Sequence, residues 1–119
     1  MTGMNGQADA RERCRRIRQV IIEMSYSARS AHLGSSLSCV EILDAMIAGS
    51  NLRADTVALA GRDRIVVSKG HAAMALYAAL HVWGMLDVEH IRSYLKDGTL
   101  LWGHVTRSPG VPAIDFSTG

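Results

Sequence analysis

The sequence predicts an α/β domain, helices flanking a parallel sheet, and three observations carry that expectation. Residues 8–28 repeat apolar side chains at helical spacing. Ile65, Val66 and Val67 form an unbroken β-branched run, as in a strand buried on both faces of a parallel sheet. That run stops on Ser68-Lys69-Gly70-His71 and passes straight into alanines, which reads as a strand-to-helix turn.

Taken in order, the first residues, 1–7, are small and polar and are expected to be a disordered lead. Cys14, Ile17, Ile21, Met24 and Ala28 then recur at steps of three and four, which places one continuous apolar stripe on a helix over about 8–28. Its arginine-rich side, ARERCRRIRQ, reads as a solvated face in which Asp9 meets Arg13 and Glu12 meets Arg16. Residues 30–37 are small and polar apart from two leucines and are expected to be a loop. A second helix follows: Ser38 and Glu41 have the spacing of a capping box, Val40, Leu43, Met46 and Ile47 form its buried side, and Gly49 suits its end.

The predicted strand spans 64–68. After the SKGH turn, 72–82 is rich in alanine and leucine and should be helical up to Gly84. Asp87 is the expected cap of a fourth helix, Leu86 and Ile91 have the spacing of a hydrophobic staple, and Gly98 ends the element. From Thr99 onward the chain is irregular. A single strand cannot satisfy its own edges. The rest of the sheet is therefore expected past Gly119 or in a partner, and the chain is expected to be incomplete.

Bulk properties exclude several classes. The 119 residues suit one small domain, 48% hydrophobic and 20% charged, with a formal net charge of +2. That charge does not predict a nucleic-acid partner, and no aromatic side chain is interleaved with the one arginine cluster. Cys14 and Cys39 lack CxxC or Cys/His ligand spacing, so no structural zinc site is expected. Neither a signal peptide nor an apolar run of membrane-spanning length is present, so no membrane partner is expected. Two reduced thiols without a targeting segment point to the cytoplasm.

Five histidines divide into two groups. His81 and His90 lie inside predicted helices and read as surface or satisfied structural residues. His32, His71 and His104 each lie in a predicted loop next to or near glycine, where backbone and side chain can approach a ligand. His71 also precedes a helix whose free first-turn amides favour an anion, and an imidazole there can donate to a phosphate oxygen or carry protons near neutral pH. Ser35 and Ser36 are further possible donors.

Three stretches occurring in one order, SARSAHLGSSLSCVEIL, DRIVVSKGHAAMALYAAL, and GHV followed by PGVPAIDFSTG, resemble the amino-terminal part of transketolases over about Arg15 to Gly119. The resemblance implies the amino-terminal portion of a thiamine-diphosphate-binding fold. It implies that 8–119 is a partial diphosphate domain, stopping before the family's Gly-Asp-Gly metal motif. The activity implied is transfer of a two-carbon ketol unit between sugar phosphates, with this chain inactive or incomplete alone.

By position, His71 matches a histidine at the diphosphate and active centre. His32 matches one near substrate and thiazolium, and His104 one that contacts substrate hydroxyls. Gly119 matches a glycine whose backbone touches the cofactor. The Mg2+ or Ca2+ that bridges the diphosphate is expected to take its ligands from outside this chain. Implied partners are the remaining carboxyl-terminal part or a second subunit, in a dimer of complete units. Leu33 and Val105 stand where the family commonly has proline, and Pro112-Ala113-Ile114 makes a looser loop than the family's. Two other readings fit the same residues: a non-catalytic remnant that serves as an interaction fragment, and a related thiamine enzyme such as deoxyxylulose phosphate synthase.

Overall fold

Helix α1 (Gly3–Ala28) lays its apolar stripe against the rest of the molecule: Ile17 and Ile21 are fully buried, with Cys14 and Met24 nearly so. Each such isoleucine contributes roughly 1.5–3 kcal/mol on burial. The structure is a computed structural model and describes residues 3–108 and 110–118. The helix begins well ahead of residue 8, so 3–7, expected as a disordered lead, are helical; residues 1–2 lie outside the described part. Once nucleated, a helix gains one hydrogen bond for each residue added, and no proline interrupts this stretch.

The expected loop over 30–37 is irregular only through His32, and Leu33–Leu37 forms a one-turn helix, α2. Helix α3 (Val40–Gly49) buries Val40, Leu43 and Ile47, whereas Met46 is exposed. No capping box forms at its start. Cys39 is the N-cap, Ser38 Oγ donates to the Ser35 carbonyl, and the Glu41 carboxylate accepts from Arg18 on α1. A full guanidinium charge on the neighbouring helix is a stronger partner for Glu41 than one free amide.

Helix α4 (Ala73–Val82) is the centre of the molecule. Every residue from Ala73 to Leu80 is buried, and the helix touches α1, α2, α3 and the short helix α5 (Val88–Arg92). A helix apolar on all sides has to be an interior one, and its alanines let the surrounding helices come close. Gly84, with φ 82°, makes the left-handed exit expected of a C-terminal glycine. Asp87 caps α5, accepting from the His90 amide at 2.9 Å, while Leu86 and Ile91 are both buried as the staple spacing requires. This helix is shorter than expected: it ends at Arg92, and turns carry the chain to Gly98 at φ 79°.

The predicted strand does not form. Residues 63–69 carry no strand, and the described residues contain only an isolated antiparallel bridge between Ser108 and Val111. Ile65 and Val67 are half-buried, and Val66, 52% exposed, points the other way. Alternation of that kind is how an extended chain lies with one face on a core. A ladder also needs a second strand about 4.8 Å away, and none of the described segments supplies one. The expected parallel sheet is therefore absent among the described residues, whose regular structure is helical.

Ion pairs and one buried arginine tie the layers together. Arg13 is bidentate to Asp44 (Nε–Oδ1 2.7 Å, Nη2–Oδ2 2.9 Å), Trp83 Nε1 donates to the same carboxylate at 3.0 Å, and the Arg13 and Arg53 guanidiniums each lie 4.6 Å from the Trp83 ring centre. The pairings expected within α1 do not form. Arg13 reaches α3, and Glu12 binds Arg15, because Asp44 is buried and must have a partner. Arg62, also buried, is bidentate to Asp115 at 2.8 Å and donates to the carbonyls of Val57 and Pro112. It thereby pins the carboxyl-terminal segment to the loop before residue 63.

Candidate functional site

Three loops bring His32, His71 and His104 together. The His32 and His71 rings lie 4.4 Å apart between centroids, and the His71 and His104 rings 4.5 Å apart in an edge-on arrangement. All three are exposed. His81 and His90 stay out of this group. His81 Nδ1 is 2.7 Å from the Leu86 carbonyl, and His90 Nδ1 is 2.6 Å from Asp87, which makes both structural, as their sequence positions suggest.

Each ring is positioned by a different device. His71 stands on a 3-10 turn, Gly70–Ala72, that runs directly into α4. That turn is closed by the Ala72 amide on the Lys69 carbonyl at 2.9 Å, and the start of α4 carries no side-chain cap. Its free first-turn amides remain suited to an anion. His32 is the N-cap of α2 with φ 70° and ψ 23°, a left-handed backbone. For a non-glycine residue this costs about 1 kcal/mol or more and is retained only where the surroundings enforce it. His104 is steadied from the core: the Tyr77 hydroxyl donates to the Trp102 carbonyl at 2.6 Å, and Thr106 Oγ1 donates to the His104 carbonyl at 3.0 Å.

A cavity of about 460 Å3 adjoins the cluster, bounded by His32 and His104 together with Ser30, Tyr94, Trp102 and Thr106. His71 touches both of those rings without lining the cavity. Partial loss of hydration, then the neighbouring His104 and His32 imidazoles, hold the His71 pKa below the usual histidine value. Its ring is thus neutral at pH 7, able to accept a proton on one nitrogen and donate from the other. Burial, and next the nearby Tyr94, push the Tyr77 hydroxyl well above the usual tyrosine range, so it remains a donor throughout the physiological range.

Gly119, the fourth expected site residue, lies outside the described part. Of the two serines singled out, Ser36 is fully buried with no hydrogen-bond partner for its Oγ, and the Ser35 carbonyl is an acceptor in the loop network. Two positioning residues escaped sequence reasoning. Lys69 sits inside the SKGH turn itself, and Tyr77 is the one polar-tipped aromatic in an alanine-rich helix; either oddity was a usable signal. Among the described residues, no group of three His, Cys, Asp or Glu is arranged to hold a metal ion, and no helix is long and apolar enough to cross a membrane. The donor set fits an anionic, hydroxyl-bearing ligand better than a cation.

Three known relatives and one family model match the chain. The family model, described as the thiamine diphosphate binding domain of transketolase, matches residues 10–119. One of the two subunits named for apulose-4-phosphate transketolase in Phocaeicola vulgatus is 35% identical over 86% of this chain and 36% of its own length. The 6-deoxy-6-sulfo-D-fructose transketolase subunit SqwG of a Clostridium species is 33% identical over 95% of this chain and 41% of its own length. Transketolase of Treponema pallidum is 36% identical over 82% of this chain and 15% of its own length. The chain therefore spans about two fifths of the subunit-type relatives and a far smaller share of the longer one.

Proposed function

The chain belongs to the transketolase family, as part of its thiamine diphosphate binding domain, and from that premise we propose that it serves a thiamine-diphosphate-dependent transfer of a two-carbon ketol unit between sugar phosphates. The observation that carries this reading is the convergence of His32, His71 and His104 from three separate loops onto one cavity edge.

Bound thiamine diphosphate supplies an electron sink for carbanion chemistry. The residues of this chain do the rest of the work at its edge. His71, neutral and next to the uncapped start of α4, donates to a diphosphate oxygen or relays a proton beside it. His32 and His104, on the cavity wall, donate to the hydroxyls of a sugar phosphate and orient it. The Mg2+ or Ca2+ that neutralises a diphosphate takes its ligands from polypeptide other than these residues. The remaining carboxyl-terminal part, or a second subunit, completes the site, and complete units pair as dimers. Cys14 and Cys39 are free thiols, which suits the reducing cytoplasm.

The test is calorimetric titration of thiamine diphosphate with Mg2+ into the 119-residue chain, without and then with the completing polypeptide, followed by ketol-transfer assays. We expect little binding to the chain alone, binding and transfer in the complex, and loss of both with His71→Ala. Binding and transfer that survive His71→Ala unchanged overturn the reading.

A further inference from the structure

A lysine beside Gly-His at a helix start invites assignment as a phosphate ligand, yet here the Lys69 ammonium is already engaged. Its Nζ lies 3.1 Å from Ser38 Oγ, 3.3 Å from the Ser35 carbonyl and 3.7 Å from Cys39 Sγ. An ammonium has three N–H donors, and three acceptors surround this one. All three belong to the end of α2 and the bend into α3, the opposite end of the short helix that His32 caps.

The Ser35 carbonyl is a convergence point, accepting also from Ser38 Oγ at 3.0 Å and from the Cys39 thiol at 3.2 Å. A cation at the carboxyl end of a helix is favoured by the exposed carbonyls there. The link joins residues 34 positions apart in sequence, and α2 packs against the 3-10 turn that carries His71. His32 in its left-handed conformation receives no side-chain capping bond, so local contacts alone do not hold that strained backbone in place.

We propose that Lys69 is a positioning residue: it straps α2 to the SKGH turn and so holds the His32 ring against His71. The proposal rests on the reading of the three histidines as one site, but not on any ligand. In this arrangement the ammonium is occupied by protein acceptors and contributes no direct ligand to a bound diphosphate.

The test is NMR of the full 119-residue chain, reading through-space cross-peaks between the imidazole protons of His32 and His71 and, as internal reference, of His71 and His104. Lys69→Met keeps the stem and removes the donors. It is expected to lose the first cross-peak and keep the second, with the melting transition retained. Lys69→Arg, which restores a forked cation, is expected to recover the first cross-peak, and Ser38→Ala, which removes one acceptor, to weaken it partially. An unchanged His32–His71 cross-peak in Lys69→Met and Ser38→Ala overturns the proposal. So does loss of both cross-peaks together with the melting transition, since Lys69 would then support the whole fold and not one loop. Cofactor binding does not enter these readouts, so the positioning role and the proposed activity fail separately.

Discussion

Replacing Asp44 by alanine should cost this chain about 2–3 kcal/mol, and the structure shows how the figure arises. The Asp44 side chain is 3% exposed and accepts two bonds from Arg13 and one from Trp83. Hydrogen bonds to a charged group contribute roughly 1.5–3 kcal/mol each when buried. The Arg13 side chain is 24% exposed and can turn out to water, which reduces the two guanidinium bonds to about 1–2 kcal/mol together. The Trp83 indole N–H, half-buried and without its acceptor, adds about 1 kcal/mol. Alanine inside α3 offsets about 0.5 kcal/mol through better helix propensity. For a chain of this size the net corresponds to a fall in Tm of about 10 °C. Urea unfolding followed by circular dichroism measures it, with Asp44→Asn, which keeps an acceptor and loses the charge, expected at about half the effect. A loss below about 1 kcal/mol for Asp44→Ala would refute the view that this carboxylate joins α1, α3 and the end of α4.

The His71 ring should titrate below the usual histidine midpoint of about 6.5, and His104→Ala should move it upward. Because the folded chain favours the neutral ring, it binds fewer protons than the unfolded chain between the two midpoints. The corresponding stability is full above about pH 6.5 and is lost as pH falls through the folded midpoint; a histidine-resolved NMR titration at or above the usual value contradicts this. Arg62→Ala leaves Asp115 unpaired and should cost about 3 kcal/mol. Freed from that anchor, the carboxyl-terminal segment should be cut faster by trypsin after Arg107, and an unchanged cleavage rate contradicts the role given to Arg62. Tyr77→Phe removes the bond to the Trp102 carbonyl and should cost about 1–2 kcal/mol. It should shift the His104 ring signals more than those of His32, which the same spectra decide.

Where local periodicity and turn chemistry decide the structure, the sequence was readable. The stripe of Cys14, Ile17, Ile21 and Met24, the Asp87 cap, the Leu86–Ile91 staple and the glycine exits at 84 and 98 all depend on neighbours within one or two helical turns. The three site histidines were legible as loop residues beside glycine, while their meeting in space depends on the whole fold. What failed depended on distant partners. The Ile65–Val67 run has strand chemistry, but a strand exists only where a second one pairs with it. The capping box at Ser38 lost to long-range bonds, Glu41 turning to Arg18 and Ser38 to the Lys69 network. Lys69 and Tyr77 were missed for the same reason, since their bonds reach residues 34 and 25 positions away.

The spacing of the three histidines has a consequence for how the protein is made. Each ring rides on a separate stretch of chain, and no two come from the same helix or turn. Their meeting therefore requires two long loops to close, with the associated entropy offset by core contacts around α4 before the rings can touch. The imidazole cluster should then be among the last features to assemble on refolding and among the first to disperse on partial unfolding. A spectroscopic signal from it would serve as a clock for completion of the fold. A single backbone nick between 32 and 71, or between 71 and 104, would let the rings drift apart even where the helices on either side survive.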